Sequence, residues 1–391
     1  MDTHELNLKY GCNPHQTPAR VFTESVPLPI RTLNGQPGYI NLLDAVNSWQ
    51  LVKELKAALN LPAAASFKHV SPAGAAVATP LNETLRQAFF VGTLDLSPLA
   101  TAYVRARGAD PMSSFGDWVA LSDPADESVA AVIKREVSDG IIAPGYAPEA
   151  LAILKKKKQG NYAILEIDEH YHPPETERKQ LYGITFEQRR NDLSITKEIL
   201  NNVVTKHKAM PDSAVNDLII ATIAVKYTQS NSVCLAYNGQ VIGAGAGQQS
   251  RIHCTRLACA KADRWFMKQH PKVLTMKFAK GLKRPERINA IEQYLEETLT
   301  DAERAEWITR FEQVPEPITA DEKEKWLSRF NQVALSSDAF FPFRDNIDRA
   351  SRSGVHYVVQ PGGSVADEEV IKAANAYAMV MIFSGVRLFH H

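Results

Sequence analysis

Several short stretches combine side chains that can do chemistry. Lys68 and His69 stand together after the small-residue run AAASF and before Ser-Pro-Ala-Gly. Histidine exchanges a proton near neutral pH, and an adjacent ammonium lowers the proton affinity of the imidazole and keeps it available as a base. At the mouth of a strand, where α/β sheets place their ligands, such a pair would act as base and charge stabiliser. Taken as a bare dipeptide, it reads as a surface basic pair beside a turn. The stretch YTQSNSVC sets Thr228, Gln229, Ser230 and Asn231 at a helix-to-strand junction. Four polar side chains there could read a base or a carboxamide, or could be caps and turn formers.

Other stretches are suited to binding. LKYGCNPHQTPARVF packs Lys9, Tyr10, Asn13, His15 and Gln16 into a few positions. A cation and an aromatic ring beside Gly and Pro could hold a phosphate or a ribose; the plainer reading is an ordered arm. GAGAGQQSR looks like a dinucleotide loop, but Gly243, Gly245 and Gly247 do not match GxGxxG, and no acidic residue follows on a second strand. That rejects a nicotinamide site and leaves close backbone approach, with Arg251 just beyond as a cation. In SSDAFFPFRDN, Phe340, Phe341 and Phe343 alternate with Asp338, Arg344 and Asp345. This suits a flat, hydrogen-bonding heterocycle such as a pterin, or core packing with a helix cap at Asp345. VQPGGSVAD ends a strand in a Gly-Gly turn with Ser364 near a helix start, a place for an anion or an ordinary capped turn. Arg387 is a candidate phosphate partner or a solvated terminal arginine.

The elements that must position these residues follow from periodicity. Leu43, Val46, Trp49, Val52, Leu55 and Leu59 predict a helix over 44–60, ended by Leu61-Pro62. AAASF reads as a buried strand end, and the Ser-Pro and Ala-Gly steps after it as a loop entering a helix. WVALS, GIIAPGY and NYAILEI read as strands, with a helix over Glu127 to Glu136. A second series begins near Pro211: a helix through AVNDLIIATIAVKYT, the strand SVCLAY, an Asn238-Gly239 turn and the strand QVIGAGAG. Asn-Gly between apolar runs is a strong hairpin signal. Residues 280–330 read as charged peripheral helices. VALSSDAFF, VHYVVQ, a helix from Ala366 and a strand-like run into VRLFHH close the chain. Strand alternating with helix predicts an α/β protein. The charged, proline-containing EIDEHYHPPETERKQ is the linker candidate, dividing the chain into residues 1–170 and 171–391, the latter with a helical insertion at about 280–330. Both halves pair a helix with a strand ending in a polar loop, which hints at internal duplication.

Composition narrows the function classes. The chain has 391 residues, 45% hydrophobic and 23% charged, as expected of a globular protein with two or three domains. Lys+Arg 44 balances Asp+Glu 44, so net charge points to neither nucleic acid nor an acidic membrane surface. The start MDTHELNLKYG lacks the basic and apolar regions of a signal peptide, and no apolar run spans a bilayer. Cys12, Cys234, Cys254 and Cys259 form no CxxC pair, so a disulfide framework is not expected and a reducing cytoplasm is the expected location.

The sequence resembles the transformylase domain of the bifunctional AICAR transformylase/IMP cyclohydrolase family. LKYGCNPHQTPA, AASFKHVSPAGAA, RARGADPMSSFGD, EVSDGIIAPGY, VKYTQSNSVC, GAGQQSRIHCTRLA, SSDAFFPFRDNIDRA and RLFHH carry the likeness, which runs from about Leu8 to His391. The resemblance implies an α/β fold of duplicated cytidine-deaminase-like three-layer units with additional peripheral helices. It implies formyl transfer from 10-formyltetrahydrofolate to the amine of AICAR. The zinc motif HxE…PCxxC of true deaminases is absent, so no zinc hydroxide is expected. His69 resembles the proton acceptor and Lys68 the transition-state stabiliser, with Asn231 beside them. Lys9, Tyr10, Gly116, Asp139, Asn231 and Arg387 match positions that contact the nucleotide. Arg251, Ile252, Phe340, Asp345, Ser364 and Val365 match the folate side. The family further implies a homodimer with sites near the subunit interface, and potassium near Ser230 and Asp338. The family usually has Arg where Lys9 stands, and lysine offers a point charge in place of a two-pronged fork.

The cyclohydrolase half would precede LKYG, where only MDTHELN stands, so the expectation is a transformylase that depends on a separate IMP cyclohydrolase. Two rivals remain at this stage. One is AICAR formylation from formate and ATP, against which stand the absence of a P-loop and the presence of the folate-side residues. The other is a non-catalytic nucleotide-binding protein, which would not need both Lys68 and His69.

Overall fold

The computed structural model describes residues 4–24, 26–296 and 298–391. A short hairpin, β1 (Glu5–Leu8) and β2 (Ala19–Phe22), precedes β3 (Ile30–Asn34) and the long helix α1 (Tyr39–Leu59). Asn60 ends α1 in the left-handed region (φ 52°), its N–H bonded to the Lys56 carbonyl, a common helix stop. Then come β4 (Ala63–Lys68), β5 (Ser71–Val77), α2 (Glu83–Ala88), α3 (Pro98–Ala109), β6 (Asp117–Leu121), α4 (Glu127–Lys134), β7 (Ser138–Ala143), α5 (Pro148–Lys155) and β8 (Ala163–Ile167). The side chains of Asn82, Ser97 and Asp126 cap α2, α3 and α4, taking up amides that a helix start leaves without partners.

A hairpin of β9 (Thr176–Leu181) and β10 (Ile184–Arg189) projects from the sheet, exposed along both strands. After it run α6 (Asp212–Lys226), β11 (Val233–Tyr237), β12 (Gln240–Gly245) and α7 (Arg251–Met267). The peripheral segment holds α8 (Pro271–Leu274), β13 (Lys277–Phe278), α9 (Arg284–Tyr294), α10 (Asp301–Trp307), β14 (Phe311–Gln313) and α11 (Ala320–Leu327). It closes a small core of its own around Ala290, Trp307 and Phe311. The chain ends with β15 (Val333–Ser337), α12 (Asp345–Ser351), β16 (Val355–Gln360), α13 (Asp367–Ala376) and β17 (Val380–Phe383).

One 11-stranded mixed sheet spans the molecule in the order β17-β16-β15-β11-β12-β5-β4-β6-β7-β8-β3. The order is a repeat. In the first series β4 lies antiparallel between β5 and β6, and β6, β7 and β8 run parallel. In the second, β11 lies antiparallel between β12 and β15, and β15, β16 and β17 run parallel. The series meet where β5 and β12 pair antiparallel at Ala76 and Gln240. The two series are thus related by a half-turn about an axis through the sheet, which gives physical form to the duplication hinted at by sequence.

Helices cover both faces and make three layers. Along β4, β6 and β11, alternate residues enter opposite cores: Ala65, Trp118 and Cys234 face α1 and α6, while Ala64, Val119 and Leu235 face α3, α4, α7 and their successors. Burial on both faces is why these strands read as continuous small and apolar runs rather than alternating ones. At the outer edge, Val203 bridges to Ile382 of β17, Val204 N donates to Met381 O, and Phe383 N donates to Asn202 O. No helix among the described residues is long and apolar enough to cross a membrane.

Four expectations are corrected. SPAGAAV is not a loop entering a helix but strand β5, turned back from β4 by the tight pair His69–Val70; Gly74 lies so close under α3 that a Cβ there would stand 2.1 Å from the Ala106 carbonyl oxygen. Helix α1 starts at Tyr39, before Asp44, and its buried face carries Leu42, Ala45, Trp49, Val52 and Leu55, leaving Leu43 and Val46 exposed. The buried stripe also includes Asp44 and Ser48, and polar residues there hide the stripe from a hydrophobic pattern. The linker candidate is partly strand, its ends lying in β8 and β9. The final strand is VMIF of β17, and VRLFHH follows it as a tail.

Candidate active site

The antiparallel junction brings one edge of the sheet together from both repeats. On it lie the β4–β5 turn, the starts of β6 and β7, the loop before β11, the loop after β12, and the ends of β15, β16 and β17. Every candidate that a strand of the main sheet positions falls on this edge.

Lys68 ends β4, half-buried, and its Nζ donates to the Phe115 carbonyl at 2.6 Å. That bond ties it to the loop before β6, next to Gly116, whose own N–H donates to Val137 O at 2.9 Å. A buried network holds the loop from below. Arg107 donates to Asp117 (Nη1, 2.7 Å) and to Glu136 (Nε, 2.9 Å), and Ser66 Oγ lies between Asp117 and Ser114. With Arg107 and Asp117 both almost inaccessible to water, removal of either would leave an uncompensated buried charge. Asp139, second in β7, pairs with Lys158 Nζ at 2.5 Å.

His69 follows Lys68 with its side chain exposed and its backbone in the left-handed region (φ 53°), as is Val70 (φ 61°). The Asp44 carboxylate accepts from Val70 N at 2.6 Å. Burial raises the Asp44 pKa above the ordinary carboxylate value, while the backbone of the turn and the His69 charge draw it down. Asp44 was missed in the sequence because it sits in a helix whose apolar stripe could be read without it.

His69 and Lys68 open into a cleft of about 500 Å³ that they share with Ser71, Gln229, Gly247 and Lys261. Gln229 N donates to Ser71 Oγ at 3.3 Å, and Gly247 N to Gln229 O at 2.8 Å. The loop before β11 thus reaches the His69–Val70 turn of the other repeat. Lys261 of α7 pairs with Asp110 at 3.0 Å across the same edge. Burial opposes ionisation of Asp110, but Lys261 and Lys268 outweigh it and hold its pKa at about 2.

Asn231 lies two residues beyond Gln229. Its Oδ1 accepts from Arg251 Nη2 at 2.9 Å. Arg251 is buried, and its Nη1 donates to Ser232 O at 2.9 Å and to the Asp338 carboxylate. Asp338 Oδ2 in turn accepts from Ser230 Oγ (2.6 Å) and Ser232 N (3.0 Å), while Ser232 Oγ donates to Val225 O at 3.3 Å. The C-terminal tail closes over this cluster: Leu388 N donates to Asp338 O, and His390 N to Ser230 Oγ. Among the described residues no group of three or more His, Cys, Asp and Glu could hold a metal ion. The cluster around Ser230 and Asp338 is instead built from carboxylate, hydroxyl and carbonyl oxygens.

The remaining folate-side candidates lie further along the edge. Phe340 stands in the loop after β15 and Asp345 at the start of α12, Ser364 and Val365 stand in the loop after β16, and Phe341 N donates to Oε1 of Gln360 at the end of β16 at 2.9 Å. The triple-Phe motif divides: Phe341 is buried, while Phe340 and Phe343 are 42% and 65% exposed. Core packing therefore holds for Phe341, while Phe340 and Phe343 are open to solvent; Asp345 is not the expected cap but the first residue of α12, with Arg344 at the N-cap position. Ser364 Oγ accepts from Ala366 N at 3.1 Å, and Asp367 Oδ2 accepts from Gly363 N, so side chains of the protein already cap this turn. Ile252 is half-buried in the first turn of α7. From the β4–β5 turn to the loop after β16 is four strand spacings beyond β5, on the order of 19 Å. Within one chain the structure therefore sets Lys68, His69 and Gln229 on one cleft with Gly116 beside it, ties Asn231 through Arg251 to Asp338 at the end of β15, where Phe340 follows, and leaves Ser364 and Val365 farthest from His69.

Lys9 and Tyr10 follow β1 in the N-terminal hairpin, and among the described residues neither has a hydrogen bond or ion pair to the His69–Val70 turn. Arg387 is exposed in the tail, its guanidinium 4.7 Å from the Phe389 ring centre.

Residues 2–261 match the family described as AICARFT/IMPCHase bienzyme. Over 389 residues the chain is 31% identical to the bifunctional purine biosynthesis protein PurH of Elusimicrobium minutum (strain Pei191), an alignment that covers 98% of the chain and 58% of that relative. The chain thus spans little more than half the length of the relative it matches.

Proposed function

Because the chain belongs to the AICARFT/IMPCHase bienzyme family, we propose that it transfers the formyl group of 10-formyltetrahydrofolate to the 5-amino group of AICAR. The observation that carries this reading is the cleft where the His69 turn of one repeat meets the Gln229–Asn231 loop of the other. The AICAR amine is a weak nucleophile because its lone pair is delocalised into the ring. As its nitrogen attacks the formyl carbon, a base must remove a proton, and the tetrahedral oxyanion must be held until the bond to N10 of the folate breaks. His69, exposed at the cleft, takes the proton, a role typically worth about 10²- to 10⁴-fold in rate. Lys68 keeps one N–H on Phe115 O and has two left for the oxyanion or the nucleotide.

Asn231 supplies the other donor. An arginine can only donate, so the Arg251 contact must engage Oδ1, which leaves the amide Nδ2 as the donor of this side chain. A preorganised oxyanion donor of this kind contributes about 3–4 kcal/mol to the transition state. Gly116, Asp139, Lys9, Tyr10 and Arg387 are assigned to the nucleotide. Arg251, Ile252, Phe340, Asp345, Ser364 and Val365 are assigned to the folate side, Arg251 acting through Asn231. The oxygens of Ser230, Ser232, Val225 and Asp338 fit a monovalent cation such as potassium, which when bound would add fixed positive charge beside the Asn231 loop.

Ser364 and Val365 stand on the order of 19 Å along the sheet from the β4–β5 turn of the same chain. We therefore assign the folate side facing each His69 to a second copy of the chain. The exposed Phe340, Phe343 and Val365, and the apolar Leu181, Tyr182, Ile184 and Phe186 of the β9–β10 hairpin, support an interface. The division at about residue 170, between the repeats, belongs to the same reading, as does a cytoplasmic location, which the four free cysteines support.

The test is tetrahydrofolate formation from AICAR and 10-formyltetrahydrofolate by the purified protein, with IMP assayed in the same tube. Tetrahydrofolate without IMP is the expected result and assigns ring closure to a separate cyclohydrolase. No tetrahydrofolate overturns the reading, and addition of formate with ATP then separates formate-dependent formylation from nucleotide binding alone.

A further inference from the structure

The buried carboxylate of Asp44 makes no ion pair among the described residues, and its hydrogen bond is to the Val70 amide. It occupies the sixth position of α1, and the second repeat carries Asp217 at the sixth position of α6. Asp217 accepts from Asn238 N and Gly239 N, both at 2.7 Å. Asn238–Gly239 is the turn between β11 and β12, and the repeat places it in correspondence with His69–Val70 between β4 and β5. The fold thus uses one device twice: an acid on the helix beneath the sheet accepts from the amides of a hairpin turn.

The turns differ in what they require of it. Asn and Gly adopt positive φ readily, so Asn238 (φ 51°) and Gly239 (φ 85°) are at home. His69 (φ 53°) and above all the β-branched Val70 (φ 61°) are not. The far turn is also gripped by Arg105, which donates to Asn238 O, Gln240 Oε1, Thr79 O and Pro80 O. Nothing corresponding holds the carbonyls of His69 and Val70 among the described residues, because that side is the cleft. The strained turn therefore rests on Asp44, which accepts from Val70 N and lies close enough to the His69 amide to be influenced by it.

We propose that Asp44 is a positioning residue for His69: by accepting the amide bonds of the His69–Val70 turn, it holds the imidazole in the cleft in an otherwise disfavoured backbone conformation. The proposal rests on the formyl-transfer reading for its kinetics, but its geometry can be tested without any turnover.

In the full chain, Asp44→Ala should lower kcat about 100-fold, as misplacement of a catalytic group by about 1 Å does. KM for AICAR should stay within about threefold, since no binding contact is lost. Val70→Gly in the Asp44→Ala background should restore at least about tenfold of that loss, because glycine accepts positive φ without support. If Asp44→Ala does not fold, two variants still decide. Asp44→Asn keeps an acceptor in place and loses the charge, whereas Asp44→Glu keeps the charge and moves the acceptor. Higher kcat in Asn than in Glu supports positioning, and the reverse order overturns it. Amide exchange over residues 66–73, followed by mass spectrometry, should rise in Asp44→Ala and Asp44→Glu and not in Asp44→Asn. Unchanged exchange in all three overturns the inference even where wild-type formyl transfer is absent, whereas wild-type inactivity with the expected exchange overturns the functional reading alone.

Discussion

At one end of the sheet the His69–Val70 turn opens to a cleft, while at the opposite end its counterpart Asn238–Gly239 is enclosed by Arg105 and Asp217. The two turns share strand pairing, helix and capping acid. They differ in residue type, and each residue choice is suited to one task. The enclosed turn uses residues that favour its conformation and fixes the junction of the repeats through Arg105, which crosses from α3 to the second repeat. The open turn carries a histidine and a β-branched valine where Asn-Gly would be more stable. Strain of this kind, on the order of 1–3 kcal/mol per residue, persists where surrounding structure determines it and where function places it.

The strongest way to break the comparison is to remove each turn's distinguishing side chain. His69→Ala should lower kcat about 1,000-fold, while Asn238→Ala should leave kcat within about twofold because that turn touches no substrate; steady-state kinetics on both variants decides. Near-equal effects would mean that the open turn is not the catalytic one. Next in size is the enclosed turn's glycine. A Cβ on Gly239 would meet Thr79 Oγ1 at 2.1 Å on a backbone with φ +85°. Gly239→Ala should therefore cost about 3 kcal/mol in urea unfolding, without a change in kcat.

The smallest effect concerns how the repeats are joined at each end. The open edge uses the ion pair Lys261–Asp110, whereas the enclosed edge uses guanidinium-to-carbonyl bonds that do not titrate in acid. The Asp110 pKa of about 2 lies below its ordinary 3.8. A depressed carboxyl contributes stability that is complete above about pH 4 and is lost as pH falls toward 2, here about 2 kcal/mol. The stability gap between wild type and Asp110→Asn should be full at pH 6 and close toward pH 2, as read by unfolding at a series of pH values. A gap that stays constant down to pH 2 would remove the ion pair from the account of this edge.

Much of the architecture was legible because its signals are local. The strands β6, β8, β11 and β12, the Asn238–Gly239 turn and the charged peripheral helices all stand where apolar runs and turn chemistry put them. Strand β5 was misread because its turn breaks the rule that tight hairpins carry Asn or Gly, and a turn held by a distant acid leaves no mark in its own residues. Lys68 and His69 could be singled out from their types. Asp44 could not, since its partner amide is 26 residues away and the position reads as part of an ordinary helix. Arg251 was legible as a cation, but not as one whose donors would be occupied by Asn231, Ser232 and Asp338. That commitment depends on three segments meeting, which no spacing within one of them encodes.

The bridge from Val203 to Ile382, with its flanking amide bonds at Val204 and Phe383, has a consequence for how copies of the chain can associate. An uncovered outer strand offers a row of unpaired amides on which another chain can add, the usual route to runaway sheet growth. Here the outer strand β17 already has a partner from its own chain, and at the other border β3 is only five residues long. Neither border is a long template. Association is thereby steered away from strand addition and toward loops and side-chain surfaces, where contacts can be selective and growth can stop.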